Sequence, residues 1–254
     1  MGGTKIKALL IGCSYDGQQM HMEAGKHDVK AMTKFIEKNY HVPSSHVRIL
    51  HEDAQESRHP TRRNILHALK WLVNDLDGVK HVFFYFAGHG GLGKNNVSHI
   101  CPTDFKKADS ITADTLCSEL VGHLGKHQHL TAFFQHCHSG NSLEMPYLYT
   151  TPHHLERGQH KHHRSHFHRA GMPVVFCFGA SNTKLTSHHD EKMSCATKAF
   201  IKNCKAGVTV LDVYRAIAGG EPTARPEFST SLAPPELKID IGTDIPFLVT
   251  HRHW

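Results

Sequence analysis

The chain has 254 residues, 39% hydrophobic and 8% aromatic, enough for a sizeable core in one large α/β domain or two small ones. Lys and Arg number 29 against 23 Asp and Glu, a formal +6, and 26 histidines lift the charge to roughly +19 near pH 6.5. Composition excludes a disordered or repetitive chain, and no apolar run reaches the ~18 residues of a membrane-spanning helix.

Taken in chain order, the apolar runs alternate with amphipathic ones. Met1 to Lys7 carries no cleavage-site pattern and is not expected to be a signal peptide. Lys5–Cys13 is a short continuous apolar run, read as a buried strand. Lys26–Asn39 carries Val29, Met32, Phe35 and Ile36 at helical spacing. Val47–Leu50 is a second strand. Thr61 then caps a helix with Ile65, Leu66, Leu69, Leu72 and Val73 on one face. Val79–Ala87 is a third strand, and Asp114–Leu124 is helical, with Leu116, Leu120 and Leu124 aligned. His129–Phe134 is a fourth strand and Met172–Gly179 a fifth. Lys192–Lys202 and Val210–Ala218 read as helices, and the tail from Phe228 to Val249 holds one more strand.

Strands separated by helices imply an α/β fold, a mostly parallel sheet of about six or more strands with helices on both faces. In such sheets the ligand crevice lies beyond the carboxyl ends of the strands. Two segments stand there: Gly88-His89-Gly90-Gly91 after the third strand, and His136-Cys137-His138-Ser139-Gly140 after the fourth. Adjacent parallel strands lie about 4.8 Å apart, so these loops can bring His89 and Cys137 within reach of each other. A thiol beside an imidazole is the minimum apparatus for nucleophilic catalysis, because the imidazole helps to form the attacking thiolate. Gly90 lets backbone N–H groups approach a substrate oxygen. The competing reading is a buried structural cysteine beside a loop histidine. Cys13, Cys117 and Cys177 fall on apolar faces and read as core, while Cys101, Cys195 and Cys204 stay undecided. Seven cysteines without a CxxC pair read as reduced thiols in a cytoplasmic compartment.

YFAGHGG (Tyr85–Gly91) and QHCHSGNSLEMPY (Gln135–Tyr147) resemble the catalytic segments of the metacaspases, caspase-like cysteine peptidases. ALLIGCSYDG (Ala8–Gly17), HDVKAM (His27–Met32), PTRRNILHALKWLV (Pro60–Val73) and RPEFSTS (Arg225–Ser231) match further segments in the same order. The resemblance implies a caspase-hemoglobinase fold in a single domain. Its large-subunit-like part covers 1–149, a His-rich loop 150–171 and a small-subunit-like part 172–254. It also implies His89 as general base, Cys137 as nucleophile, and an oxyanion hole made by Gly90 and the Cys137 N–H. Substrates would be proteins or peptides cleaved after Arg or Lys, with Asp28 and position 135 holding the basic side chain. A monomer is expected, with no nucleic-acid or membrane partner.

The chain departs from the family at several of these positions. Position 135 is Gln rather than an acid. Losing one charge-assisted hydrogen bond to a buried cation costs ~1.5–3 kcal/mol. The family's four acidic calcium positions fall at Val97, Ala113, Asp114 and Glu144, leaving only Asp114 and Glu144 as ligands. Calcium takes six to eight oxygens, so weak or absent calcium activation is expected and no cofactor is required. His27 replaces an amide, and His136 stands beside Cys137 without family precedent. His136 is expected at the surface, although a cationic ring there would favour the thiolate. Thr151–Arg169 holds seven histidines and reads as a solvated loop. Zinc could bind that loop or inhibit at Cys137 and His89, and the arginines and lysine in it invite self-cleavage. Two alternatives accompany the peptidase reading: altered specificity, or a weak or inactive paralogue acting as a binding or regulatory protein.

Overall fold

The computed structural model describes residues 5–40, 42–140, 142–151, 154–157, 173–180, 193–205, 208–220 and 225–232. In chain order the first elements are β1 (Lys5–Gly12), α1 (Ala24–Tyr40), β2 (Val47–Leu50), α2 (Arg62–Val73) and β3 (Val79–Ala87). Then come β4 (Gly90–Leu92), β5 (Ser98–Ile100), α3 (Phe105–Ala108), β6 (Ile111–Thr112), α4 (Ala113–Leu120) and β7 (His129–Gln135). The chain continues through β8 (Tyr147–Thr151), β9 (His154–Arg157), β10 (Val174–Gly179), α5 (Cys195–Asn203), α6 (Val210–Gly220) and β11 (Glu227–Thr230).

The main sheet has eight strands in the order β2-β1-β3-β7-β10-β11-β8-β9. The first five are parallel, and β11, β8 and β9 follow antiparallel. This is the mostly parallel α/β sheet expected from the alternation of runs.

The apolar runs are continuous because both faces of the central strands are buried. In β1, Ile6, Ala8 and Leu10 enter one core, and Leu9 and Ile11 the other. In β3 the division is Phe83, Tyr85 and Ala87 against Val82, Phe84 and Phe86. The first core is covered by Val29, Met32, Phe35 and Ile36 of α1, Phe200 of α5 and Val213, Tyr214 and Ile217 of α6. The second is covered by Ile65, Leu69 and Leu72 of α2 and Leu116 and Leu120 of α4. Thr61 caps α2 as expected, its hydroxyl accepting from Asn64 N at 3.3 Å. Aromatic rings knit the first core: Phe133 lies 4.9 Å from Phe200, and Phe178 lies 5.0 Å from Phe228. Deleting a fully buried ring such as Phe133 costs ~3–5 kcal/mol.

α1 lies unusually close to the end of β1. A Cβ on Gly12 would overlap the Gly25 carbonyl, and one on Gly25 would overlap the Cys13 carbonyl. That approach brings the start of α1, and Asp28 with it, down onto the carboxyl end of the sheet.

Between β3 and α4 the chain forms a second, three-stranded sheet, in which β4 and β6 each pair antiparallel with β5. One expectation needs correction. The His-rich segment is not wholly a loop, because residues 154–157 form β9 against β8. An edge strand gains its ladder hydrogen bonds without an apolar sequence, so hydrophobic periodicity does not mark it. Residues 158–172 and the tail beyond 232 lie outside the described residues. So do the readings placed on them: the metal-binding or self-cleaved part of the His-rich loop, Met172 and the later tail.

Candidate active site

The strand order reverses at β1. The chain passes from β1 to β2 on one side and then to β3 on the other. The crevice of a parallel sheet opens at such a switch point, beyond the carboxyl ends. β3 and β7 end in register, Ala87 opposite Gln135, and Gly88 N donates to the Gln135 carbonyl at 3.1 Å. Two residues beyond that pair stand His89 and Cys137.

His89 is held by its backbone and its ring. Its N–H donates to Tyr15 Oη at 2.7 Å, and Tyr15 Oη–H donates to the Cys101 carbonyl at 2.6 Å. Cys101 N donates back to the His89 carbonyl at 2.9 Å. The buried Tyr15 ring lies 4.6 Å from the imidazole. His89 Nε2 is 2.7 Å from the Met20 carbonyl. A carbonyl only accepts, so Nε2 carries the hydrogen and Nδ1 is the basic nitrogen of the neutral ring.

Gly90 follows, opposite Ile100 in the β4–β5 ladder. The bond from Cys101 N to the His89 carbonyl makes this a non-hydrogen-bonded pair. The Gly90 N–H therefore takes no part in that ladder. A Cβ at position 90 would overlap the His136 ring, so only glycine lets the two loops approach this closely.

His136 corrects the sequence reading. It is fully buried, between Phe86 and Phe134 with both ring centroids 5.7 Å away. Burial pushes its pKa down to about 3, against a hydrogen bond to the Cys137 carbonyl that favours the charged form. The ring is neutral at physiological pH and does not act as a cation beside the thiol. Nδ1 donates to the Cys137 carbonyl at 2.7 Å, which leaves Nε2 as the acceptor, 3.2 Å from Ser142 Oγ. Ser98 Oγ, from β5, donates to the His138 carbonyl at 2.8 Å. The turn is thus fastened on both sides of Cys137, and His138 adopts φ 58°. Cys137 is half-buried; the other cysteines except Cys195 are buried. Burial pushes the Cys101 thiol up to about 11, and the neighbouring Cys137 adds to the shift.

Asp28 and Gln135 lie on the same face of the sheet. Alternation along β7 puts Gln135 on the side of Phe133, the face that α1 covers. Asp28 is fully buried on α1, and its Oδ1 accepts from Ser194 N at 2.8 Å. Ser194 Oγ donates to Thr197 Oγ1 at 2.7 Å, and Thr197 Oγ1 bonds Tyr85 Oη at 2.7 Å. This network ties α1 to the start of α5 and to β3. Burial pushes the Asp28 carboxyl up to about 7, partly opposed by the Ser194 hydrogen bonds. Asp28 Oδ2 and Gln135 Oε1 are both buried acceptors without a hydrogen-bond donor among the described residues. Such groups ordinarily find partners, so two of them near one crevice call for a donor. His27, the neighbour of Asp28, turns outward and meets Glu23 Oε1 at 3.1 Å.

Asp114 stands in the first turn of α4 and Glu144 in the turn before β8. Among the described residues no group of three or more His, Cys, Asp or Glu converges as a metal site. Two carboxylates, with Val97 and Ala113 at the other positions, supply at most four side-chain oxygens of the six to eight that calcium takes.

Sequence reasoning missed Tyr15, Ser98 and Ser142. Tyr15 sits in the SYDG segment, and its signal is chemical: a buried tyrosine needs a partner for its hydroxyl. The serines carry no comparable signal, because their partners, the His138 carbonyl for Ser98 and the His136 ring for Ser142, are set beside them only by the fold.

No helix among the described residues is long and apolar enough to cross a membrane. The model of the metacaspase, peptidase C14 domain matches residues 6–146. Metacaspase-1 of Ajellomyces capsulatus is 38% identical over 156 residues, 58% of this chain and 44% of that protein. Metacaspase-1A of Aspergillus oryzae is 37% identical over 160 residues, 59% of this chain and 38% of that protein. The chain thus spans less than half the length of these relatives. The crystal structure of protein GSU0716 from Geobacter sulfurreducens superposes with a TM-score of 0.64 over 94% of this chain and 99% of that one. At 17% identity that likeness concerns the fold alone. The match over 6–146 takes in the loops that carry His89 and Cys137, and by it the chain belongs to the metacaspase family of cysteine peptidases.

Proposed function

We propose that this chain is a cysteine endopeptidase that cleaves proteins or peptides after Arg or Lys, using His89 and Cys137. The observation that carries the proposal is the seating of Gly90 on the His136 ring, which joins the two loops. In the proposed reaction, His89 Nδ1 takes the Cys137 thiol proton. The thiolate attacks the scissile carbonyl carbon, and its oxygen becomes an oxyanion. The N–H groups of Gly90 and Cys137 receive that oxyanion, which suits the absence of Gly90 N–H from its ladder. As the C–N bond breaks, His89 gives its proton to the leaving amine. Water, deprotonated by His89, then cleaves the thioester and restores the thiol.

The basic side chain of the substrate would satisfy Asp28 Oδ2 and Gln135 Oε1. One carboxylate and one amide hold a cation less firmly than two carboxylates. No step is assigned to calcium, and dependence on it is proposed to be slight or absent. The test is hydrolysis of fluorogenic peptides ending in Arg, Lys, Asp or Gln, with Cys137→Ala alongside.

Gln135 motivates a second reading, in which first-pocket selectivity has moved away from basic residues. Gln135→Asp separates the two. A gain of about ten-fold or more on Arg peptides supports a weakened basic pocket, and no gain supports altered selectivity.

A further inference from the structure

On the β2 edge of the sheet, away from the crevice, a cavity of about 460 Å³ opens between β2, α2 and two short 3-10 turns. The turns span Ser44–His46 and Glu56–Arg58. Arg48, Arg58 and His67 line the cavity together with Ser44, Ser45 and Ser57, and among the described residues no carboxylate lines it. Among the described residues neither guanidinium has a carboxylate partner or a side-chain hydrogen bond.

The walls are fixed before any ligand arrives. The Arg48 guanidinium lies on the Trp71 ring, its carbon 4.4 Å from the centroid, so the charged end is oriented by α2. Lys7 Nζ lies 4.8 Å from the same ring and donates to the Asn74 carbonyl. The Arg58 backbone is pinned on both sides: its N–H donates to the Gln55 carbonyl, and its carbonyl accepts from His51 N. Asn64 Nδ2 donates to the Glu56 and His59 carbonyls, each at 3.0 Å, which holds this turn against α2. His46 Nδ1 contacts the Ile6 carbonyl at 3.2 Å and holds the other turn against β1.

We infer that this cavity is a binding site for a phosphate monoester, with Arg48 and Arg58 receiving the dianion and the serine hydroxyls completing its hydrogen bonds. Two like charges in a half-enclosed site repel each other, and burial and Arg58 both lower the Arg48 pKa. An anion between them turns that repulsion into charge-assisted hydrogen bonds, and the planar guanidinium fork suits phosphate oxygens. The volume exceeds that of a bare phosphate and leaves room for the group it esterifies. That group can be a protein side chain or a small metabolite; the chemistry recognised is the same. The site does not depend on the peptidase reading.

The experiment is isothermal calorimetry on the full chain at constant ionic strength. The probes are inorganic phosphate, glycerol phosphate, a phosphoserine tripeptide and its unphosphorylated counterpart. Saturable one-to-one binding of the phosphorylated probes is expected, with none for the unphosphorylated peptide. Arg58→Gln, at an exposed position, and Arg48→Gln should each weaken it roughly ten-fold or more. A phosphopeptide that binds more tightly than glycerol phosphate marks a protein side chain as the source, and the reverse order marks a small ester. Failure of every phosphorylated probe to saturate the wild type overturns the inference, as does undiminished binding by Arg58→Gln.

Discussion

The charge state of Asp28 gives the sharpest prediction about selectivity. Its carboxyl is pushed up to about 7 by burial, so it gains charge across the range in which the enzyme would work. With that pKa, about nine tenths of the molecules carry the charge at pH 8 and about one tenth at pH 6. If the ionised form holds the substrate's basic side chain, kcat/KM on an Arg peptide falls roughly ten-fold between those values beyond any change at the reacting pair. The reacting pair is followed separately by the rate at which iodoacetamide, an uncharged reagent, alkylates Cys137. Asp28→Asn should remove the extra pH dependence. It should also lower kcat/KM on Arg peptides at pH 8 by roughly ten- to a hundred-fold, the cost of a charge-assisted hydrogen bond at ~1.5–3 kcal/mol. The Asn side-chain oxygen can still accept from Ser194 N, so the fold should persist. Stability supplies a second readout. Between about pH 4 and 7 the folded carboxyl keeps a proton that the unfolded one has lost, so its contribution falls as pH rises. Wild type should therefore lose on the order of 1 kcal/mol per pH unit relative to Asp28→Asn across that window. Unchanged Arg selectivity and an unchanged pH profile in Asp28→Asn would refute the reasoning.

Gly90→Ala sets a Cβ against the His136 ring and separates the two loops; kcat/KM should fall by about a hundred-fold or more with the unfolding transition still cooperative. Tyr15→Phe removes the hydroxyl between His89 N and the Cys101 carbonyl, and urea unfolding should show a loss of ~1–3 kcal/mol together with slower turnover. Buried His81 is held down at about pKa 3, chiefly by burial, with His129 across the strand pair 5.2 Å away. Its unfolded form binds a proton that the folded form refuses between about pH 6.5 and 3, so stability falls as pH falls through that window. The contribution is on the order of 1 kcal/mol per pH unit, and His81→Phe should flatten the slope seen by urea unfolding at pH 7 and pH 5. Equal slopes in the two proteins would contradict it.

The central strands and the main helices were legible because burial on both faces leaves an uninterrupted apolar run, as in β1 and β3. The three short strands β4, β5 and β6 were not, since two or three residues carry no periodicity. The strand β9 was not, because an edge strand can be polar. The pairing of the His89 and Cys137 loops could be anticipated from strand order and spacing. His136 was misread because a polar residue in a turn is ordinarily exposed. Its burial comes from its near neighbour Phe134 together with Phe86 and the missing side chain of Gly90, and the last two lie far from it in sequence. Asp28 stands in a segment that the resemblance singles out, while its partner Ser194 lies 166 residues away and is supplied only by the fold.

The central proposal, a His89/Cys137 peptidase of basic specificity, is met most directly by one measurement. The purified chain is assayed on fluorogenic peptides ending in Arg, Lys, Asp or Gln, with and without calcium, beside Cys137→Ala. The account predicts cleavage after Arg or Lys, little changed by calcium and abolished in Cys137→Ala. Absence of cleavage under every condition, or cleavage that survives Cys137→Ala, would contradict it.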